Sequence, residues 1–225
     1  MIARFKPLMR IMPATQRQLW TRLGSAAQLG FVLYGGTAVA LRLGHRTSVD
    51  FDFFSENPLN YKAIVDSFPF VAQSTIIQDE KNTLTMLVPS SVSESDHVKV
   101  LLFGAIGFGR VGEPEMTEDG IVQVASLDDL MATKLKVILQ RAEAKDYRDI
   151  AAMLSTGVCL SKGLAAARTI YGSNFQPSES LKALTYFKDG DLPTLSKDEK
   201  QILVTKVSAV RQLPKITLLA RRLAD

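Results

Sequence analysis

The two halves of the chain differ in how apolar and polar residues are arranged. In the first half, short apolar runs are separated by turn-forming residues, and we predict strands at residues 31–34, 49–54, 71–77, 83–88 and 97–103, with a possible further one at 121–125. The same pattern predicts helices at residues 16–29 and 37–43, and a helix that Asn60 caps and that runs through Phe68. The first half therefore alternates helices with strands.

After residue 125 the apolar residues recur at helical spacing. Ser126 with Asp129 three residues later is typical of a helix start, and we predict a helix to about Arg141. Ser196 with Glu199 predicts another helix start near the end of the chain. A loop rich in glycine and proline around residues 112–120 separates the two regimes. We therefore predict an α+β fold, a mixed sheet with flanking helices over residues 1–120 and a helical C-terminal domain over 121–225.

Asp50 and Asp52 are the strongest chemical signal. They are separated by one residue in a phenylalanine-rich strand pattern, so both carboxylates point to one face and the phenylalanines to the other. Two carboxylates on one face of an apolar strand repel each other unless a cation lies between them. The alternative is a strand whose polar side faces solvent.

A Gly35-Gly36-Thr37 turn lies upstream, between an apolar run and a helical pattern. Backbone N–H groups at a helix N-terminus bind phosphate, and glycine allows close approach. Arg46 and Ser48 precede the aspartates and offer a phosphate contact and a hydroxyl, although Ser48 is equally consistent with ordinary loop hydrogen bonding. The turn and the carboxylates together indicate a metal-dependent phosphoryl or nucleotidyl transferase.

A second polar block lies in the helical half. Lys134, Arg141, Lys145 and Asp149 are spaced seven, four and four residues apart, so they share one face if the helix is continuous, while Asp146 falls about 120° from Lys134. Lys134 lies in an apolar segment, where a phosphate partner would offset the cost of an unpaired ammonium. The alternative is a lysine that reaches the surface and an ion-pair ladder on a solvated helix.

Charge and composition give weaker evidence about the substrate and the cellular compartment. Residues 1–125 hold eleven Lys or Arg against twelve Asp or Glu, whereas residues 126–225 hold sixteen against eleven. A basic half suits a polyanionic substrate, although a lysine-rich solvated surface explains the same counts. The single Cys159 fits a reducing compartment. The uncharged run at residues 23–41 contains several glycines and polar residues, so we expect no membrane span and a cytoplasmic protein.

Two separated blocks of the sequence resemble one family. Residues 34–38 (YGGTA) with 44–54 (GHRTSVDFDFF), and residues 130–141 with 145–150, resemble the AbiEii/AbiGii toxin family of nucleotidyltransferases, in the DNA polymerase β-like superfamily that includes the MenT-like toxins. The resemblance implies a nucleotidyltransferase-type sheet whose helical C-terminal domain completes the active site. It implies an NTP substrate, Mg²⁺ (or Mn²⁺) at Asp50 and Asp52, and an antitoxin partner.

The resemblance also assigns roles in the second block. Lys134 would bind the triphosphate and Asp149 would be an essential acidic residue, with Asp146 and Arg141 supporting. The pattern departs from the superfamily where a third metal-binding aspartate is often found, because the strand at residues 97–103 offers only Lys99 in that place. We therefore expect one firmly held metal ion.

Three functions remain open from the sequence. The first is a toxin that transfers NMP from NTP to an RNA acceptor such as the tRNA 3′ end. The second is an enzyme that uses the same chemistry on a small hydroxylated molecule, and the third is a non-catalytic nucleotide- or protein-binding module. The basic half of the chain favours the first.

Overall fold

A computed structural model describes residues 3–90 and 96–224. Its contacts divide the chain into two compact units. The sheet unit comprises the residues before Arg110, Glu113–Ala125 and the residues after Ala220. The helical unit comprises Arg110–Gly112 and Ser126–Ala220.

The sheet unit is built on one mixed sheet. Its strands are β1 (Arg4–Phe5), β2 (Val32–Tyr34), β3 (Asp50–Phe54), β4 (Thr75–Glu80), β5 (Thr83–Pro89), β6 (His97–Phe103), β7 (Glu115–Thr117) and β8 (Gln123–Val124). They lie in the order β1-β7-β8-β2-β3-β6-β5-β4. β3 is central, antiparallel to β2 and parallel to β6. The predicted α+β class with a mixed sheet is confirmed.

In the described part of this unit, four α-helices accompany the sheet: α1 (Ala14–Trp20), α2 (Ser25–Gln28), α3 (Gly35–Leu43) and α4 (Tyr61–Ser67). The Asn60 side chain caps α4 by accepting a hydrogen bond from the Ala63 N–H, as predicted. The single helix predicted at residues 16–29 is wrong in its middle, because a 3₁₀ turn at Thr21–Leu23 separates α1 from α2. A β-branched residue and Gly24 lower helix propensity at that point.

Six strands lie at or near the positions that the alternation predicts, but β1 was not predicted, β7 lies in the predicted loop at residues 112–120, and one predicted strand starts late. The strand predicted at residues 71–77 begins only at Thr75, because Pro69–Gln73 forms a 3₁₀ turn. Proline fixes the start of that turn, and the Ser74 hydroxyl donates a hydrogen bond to the Phe70 carbonyl (2.7 Å). Phe70 and Val71 are therefore buried as part of this turn and not as part of a strand.

The helical unit contains α5 (Leu127–Val137), α6 (Ala144–Ser155), α7 (Leu160–Tyr171), α8 (Pro177–Ala183) and α9 (Lys197–Ser208). The predicted starts at Ser126 and Ser196 are confirmed by side-chain caps, and Ser196 forms a full capping box with Glu199. α5 packs closely on α7, since a Cβ at Gly163 would lie 2.3 Å from the Met131 side chain. The helix predicted to about Arg141 ends at Val137, and α6 starts anew at Ala144. In the described part of the chain, no helix is long and apolar enough to cross a membrane.

Candidate active site

β3 presents its two aspartates on the face predicted from the alternation. Phe51 and Phe53 are fully buried, whereas Asp50, Asp52 and Phe54 on the other face are half-buried. The phenylalanines anchor the strand in the core, so the carboxylates are held at fixed positions along it. Both carboxylates therefore belong to one partly accessible surface.

The turn between β2 and α3 lies against Asp52. Tyr34, the last residue of β2, pairs with Asp52 in the sheet, and Gly35 follows with φ +73°. A Cβ on Gly35 would lie 2.1 Å from Asp52 Oδ2, and one on Gly36 would lie 2.2 Å from an Arg46 guanidinium nitrogen. Glycine is required at position 35, where φ is positive, whereas a Cβ at position 36 would displace the Arg46 guanidinium. The turn, one metal-ligand candidate and the predicted phosphate-binding arginine are thus brought together.

Thr37 and Ser48 join this turn to β3. The Thr37 hydroxyl lies 2.8 Å from Ser48 Oγ and forms a hydrogen bond to the carbonyl oxygen of Asp50. Both residues are buried, at 1% and 8% exposure. Their hydroxyls fix the start of α3 beside the aspartates, and the phosphate contact proposed for them from the sequence stays a prediction. The first N–H groups of any α-helix have no partner within the helix, and these suit a phosphate.

The neighbouring strand β6 completes this face. Lys99 lies beside Asp50 and Leu101 beside Asp52, because β3 and β6 pair in parallel in that register. Among residues 3–90 and 96–224, no group of three or more His, Cys, Asp or Glu is placed to hold a metal ion. The pair fits Mg²⁺ nonetheless, since this ion is commonly held by one or two carboxylates plus waters and substrate phosphates.

The second block forms a buried ion cluster within the helical unit. Lys134 Nζ lies 2.6 Å from Asp146 Oδ1 and 2.6 Å from Asp149 Oδ2. The lysine is 5% exposed and both aspartates are 0% exposed. The premise that Lys134 lacks a protein partner is wrong, because α6 supplies two carboxylates. The premise of one continuous helix also fails, since α5 and α6 are separate and the chain turns between them.

Arg141, in that turn, joins the cluster from the surface. Its Nε lies 2.9 Å from Asp146 Oδ2, and a second guanidinium nitrogen lies 3.4 Å from Oδ1. Burial raises the pKa of Asp146, but the charges and hydrogen bonds of Lys134 and Arg141 outweigh it and hold the pKa below its ordinary value. Lys145 pairs instead with Glu143 (2.8 Å) at the surface. The cluster is therefore buried, unlike the solvated ladder considered from the sequence.

Two further aspartates of the helical unit have contacts that the sequence did not indicate. Asp191 accepts a hydrogen bond from the Ala144 N–H (2.6 Å) at the start of α6, across 47 residues of chain. Asp129, whose N–H donates to the capping Ser126 hydroxyl, accepts hydrogen bonds through its carboxylate from the N–H groups of Val111 (2.8 Å) and Gly112 (3.1 Å). Burial raises the pKa of Asp129, against the lowering effect of these bonds and of Ser126. A capping residue is recognisable from local spacing, but its long-range partners are not.

Several basic side chains near the end of the chain are exposed. Lys206 and Arg211 line a groove of about 420 Å³ beside Cys159 and the start of α7, and Lys215 is exposed beyond it. Lys200 differs, because its ammonium donates a hydrogen bond to the Pro193 carbonyl (3.0 Å) and lies 5.9 Å from the centre of the Phe187 ring. The exposed members fit a polyanion-binding surface or an ordinary solvated one.

Comparison with known proteins places this chain among the nucleotidyltransferases. The model of the family described as nucleotidyl transferase AbiEii toxin, type IV toxin–antitoxin system, matches residues 19–210. A protein of Aquifex aeolicus described as uncharacterised is 29% identical over 161 residues, which cover 71% of this chain and 74% of that protein.

Two solved structures share the fold. MenT4, a nucleotidyltransferase toxin of Mycobacterium tuberculosis, superposes with a TM-score of 0.55 at 12% identity, covering 88% of this chain and 84% of that one. An antigenic nucleotidyltransferase-like protein of Paracoccidioides brasiliensis gives a TM-score of 0.54 at 16% identity, covering 93% and 98%. Both likenesses concern the fold.

Proposed function

The chain belongs to the AbiEii family of nucleotidyltransferase toxins of type IV toxin–antitoxin systems, and on that premise we propose that it transfers NMP from NTP to an RNA hydroxyl in a Mg²⁺-dependent reaction. The 3′ end of tRNA is the acceptor that the family resemblance suggests. The excess of Lys and Arg after residue 125 supports a polyanionic acceptor. The partner that restrains the toxin would be a cognate antitoxin.

One observation carries the proposal: Asp50 and Asp52 share a face of β3, and Asp52 lies directly against the glycine turn that starts α3. A nucleotidyl transfer needs an anionic metal site and a phosphate-binding backbone at the same place. The tight approach of Gly35 to Asp52 supports such an arrangement, because it brings a carboxylate and the glycine backbone within a few ångströms of each other. A merely solvated aspartate pair would not require glycine there.

Different residues would bind the metal ion and the triphosphate. Asp50 and Asp52 would hold Mg²⁺, or Mn²⁺ in its place, which when bound stabilises charge on the phosphate oxygens. The N–H groups at the start of α3 and the Arg46 guanidinium would bind the triphosphate and set the α-phosphorus in line with the acceptor. The acceptor oxygen then bonds to the α-phosphorus, the bond to the β-phosphate bridging oxygen breaks, and pyrophosphate leaves as the acceptor proton passes to solvent.

For Lys134 and Asp149 we propose a structural role before any role in catalysis. Each is buried and each has the other as an ion-pair partner, so their first role is to hold α6 against α5. Direct contact of Lys134 with the triphosphate, and the supporting roles of Arg141 and Asp146, stay predictions from the family resemblance. Arg141 is the most accessible member, with a side chain 46% exposed, and is the best placed of the four to meet an anionic ligand.

The experiment is incubation of the purified protein with each labelled NTP, Mg²⁺ and total RNA, followed by separation of the RNA species. We expect label from one preferred NTP in a small RNA of tRNA size, and none with Asp50→Asn or without the divalent ion. Label in a small molecule instead of RNA would identify the second candidate function. Nucleotide binding without any label transfer, in the presence of all four NTPs, would identify a non-catalytic module.

A further inference from the structure

Lys99 is the charged residue that the sheet register places beside the carboxylate pair. β6 pairs in parallel with β3 so that Lys99 is opposite Asp50, and neighbouring strands lie about 4.8 Å apart. Val98 and Val100 on either side are buried at 2% and 1% exposure, whereas Lys99 is half-buried. Lys99 therefore projects from the same face of the sheet as Asp50.

The other strand next to β6 places no acidic residue beside Lys99. β5 places Leu87 opposite Lys99, so the lysine lies between an aliphatic side chain and Asp50. Asp52 is its diagonal neighbour, two residues further along β3. The stem of a lysine packs readily on an aliphatic neighbour while its ammonium remains mobile. Of the residues opposite or diagonal to Lys99 on β3 and β5, Asp50 and Asp52 are the acidic ones.

On the opposite side, Asp50 adjoins the start of α3. Thr37, in the first turn of that helix, forms a hydrogen bond to the Asp50 carbonyl oxygen, and Arg46 lies against Gly36. The two carboxylates are therefore bordered by positive potential from a helix N-terminus and an arginine, and by Lys99 from β6. Such a border weakens the attraction of a bare divalent cation and strengthens that of a phosphate chain.

We propose that Lys99 couples metal loading to nucleotide loading, an inference that rests on the proposed function of Asp50 and Asp52. Without nucleotide, the ammonium partly neutralises the pair, so the divalent ion is held weakly. When a triphosphate arrives, its oxygens complete the ligand set of the ion and give Lys99 an anionic partner. The metal and the triphosphate consequently bind together far better than either binds alone.

The test is titration calorimetry with Mn²⁺ alone and with the Mn²⁺ complex of inorganic tripolyphosphate, which removes any dependence on the base. Wild type is compared with Lys99→Met and Lys99→Arg. Lys81→Met is the matched control, because Lys81 is an exposed lysine in the turn between β4 and β5 of the same unit. We expect Lys99→Met to bind Mn²⁺ alone roughly tenfold tighter and to lose at least about tenfold of the coupling to tripolyphosphate. Lys99→Arg and Lys81→Met should keep the wild-type coupling.

Two further variants distinguish a wrong role for Lys99 from a wrong metal site. If Asp52→Asn abolishes Mn²⁺ binding while Lys99→Met keeps both the wild-type Mn²⁺ affinity and the coupling, the metal site stands and the role of Lys99 is overturned. If Mn²⁺ binding survives in both Asp50→Asn and Asp52→Asn, the metal site itself is wrong and this inference is overturned with it. Lys99→Gln, read by the same titrations, decides the question if the methionine variant does not fold.

Discussion

The two acidic sites of this chain use the same residue types in opposite ways. On β3, Asp50 and Asp52 are half-buried on a partly accessible face that also carries Lys99. On α6, Asp146 and Asp149 are completely buried and both meet one ammonium at 2.6 Å. A buried charge must be matched by the protein itself, whereas an accessible one can be matched by a ligand. The β3 pair is therefore suited to binding and the α6 pair to holding structure.

This difference means that the two sites should fail differently when a charge is removed. Loss of a β3 carboxylate should leave the fold intact and remove activity. Loss of Lys134 or of one of its carboxylate partners should first destabilise the protein, because the charges that remain in the buried part of the cluster have no access to water. The following experiments test that contrast.

The largest effect is expected for Asp52→Asn. Removing one anionic ligand from a metal-phosphate site costs several kcal/mol of transition-state stabilisation, so nucleotidyl transfer should fall by roughly 10³-fold. The urea midpoint should stay within experimental error of wild type, because Asp52 is half-buried. A variant with normal turnover would contradict the assignment, and one with a low midpoint would make the β3 pair a structural feature like the α6 pair.

Next is Lys134→Met, which leaves two carboxylates buried without their shared partner. Breaking a buried pair from one side costs about 3–5 kcal/mol, so the free energy of unfolding should drop by that order. The sequence alone did not indicate this cost, because it suggested a phosphate as the partner of Lys134 and not two carboxylates of the protein. Lys145→Met is the control, because Lys145 pairs with Glu143 at the surface and such pairs contribute about 0–1 kcal/mol. Equal urea-unfolding midpoints for Lys134→Met and Lys145→Met would show that the buried cluster does not stabilise the protein.

A third test concerns the glycine turn. Gly35→Ala adds a Cβ 2.1 Å from Asp52 Oδ2 at φ +73°, so the variant should lose about 1–3 kcal/mol of stability and most of its activity. Gly120→Ala isolates the backbone part of that effect, because Gly120 has φ +74° with nothing within 4 Å of the added atom. We expect the control to lose some stability and no activity. Similar activity in both variants would mean that Asp52 does not need the close approach.

The fourth test uses the pKa of Asp146, which Lys134 and Arg141 hold below its ordinary value despite burial. A carboxyl with a depressed folded-state pKa stabilises the protein fully above its unfolded pKa of about 3.9, and the contribution disappears as pH falls through the folded pKa. The stability difference between wild type and Asp146→Asn should therefore be largest near neutral pH and shrink below about pH 4. Urea unfolding at several pH values measures it, with exposed Asp66→Asn as the control. If the stability difference between wild type and Asp146→Asn grew on acidification, the folded-state pKa of Asp146 would be raised and not lowered.

The contrast between the two sites also explains how much the sequence could predict. Asp50 and Asp52 were placed correctly on one face because strand alternation is local and the adjacent phenylalanines fix which face is buried. The Lys134 cluster was not predicted as such, because its geometry depends on where α5 ends and on a turn that carries Arg141 toward Asp146. Asp191, which accepts a hydrogen bond from the first N–H of α6 across 47 residues, illustrates the same limit. Local periodicity predicts elements, and contacts between them require the fold.

The smallest effect is expected from the basic surface of the helical unit. Lys206, Arg211 and Lys215 are exposed, and phosphate contacts give affinity that falls with salt at roughly 0.7 per neutralised charge on the log–log slope for single strands. Changing all three to glutamate should weaken RNA modification several-fold and flatten its salt dependence, while binding of the Mn²⁺ complex of tripolyphosphate stays as in wild type.

The control for that triple variant is an equal charge reversal elsewhere, at exposed Lys62, Lys81 and Lys188. If RNA affinity depends only on net charge, both triple variants should lose the same affinity and salt slope, and no docking surface would be indicated. If only the first loses them, its three residues contact RNA. Loss of antitoxin binding with unchanged RNA affinity would assign the surface to that partner, because a protein partner can use exposed cations without the counterion release that gives RNA its steep salt slope.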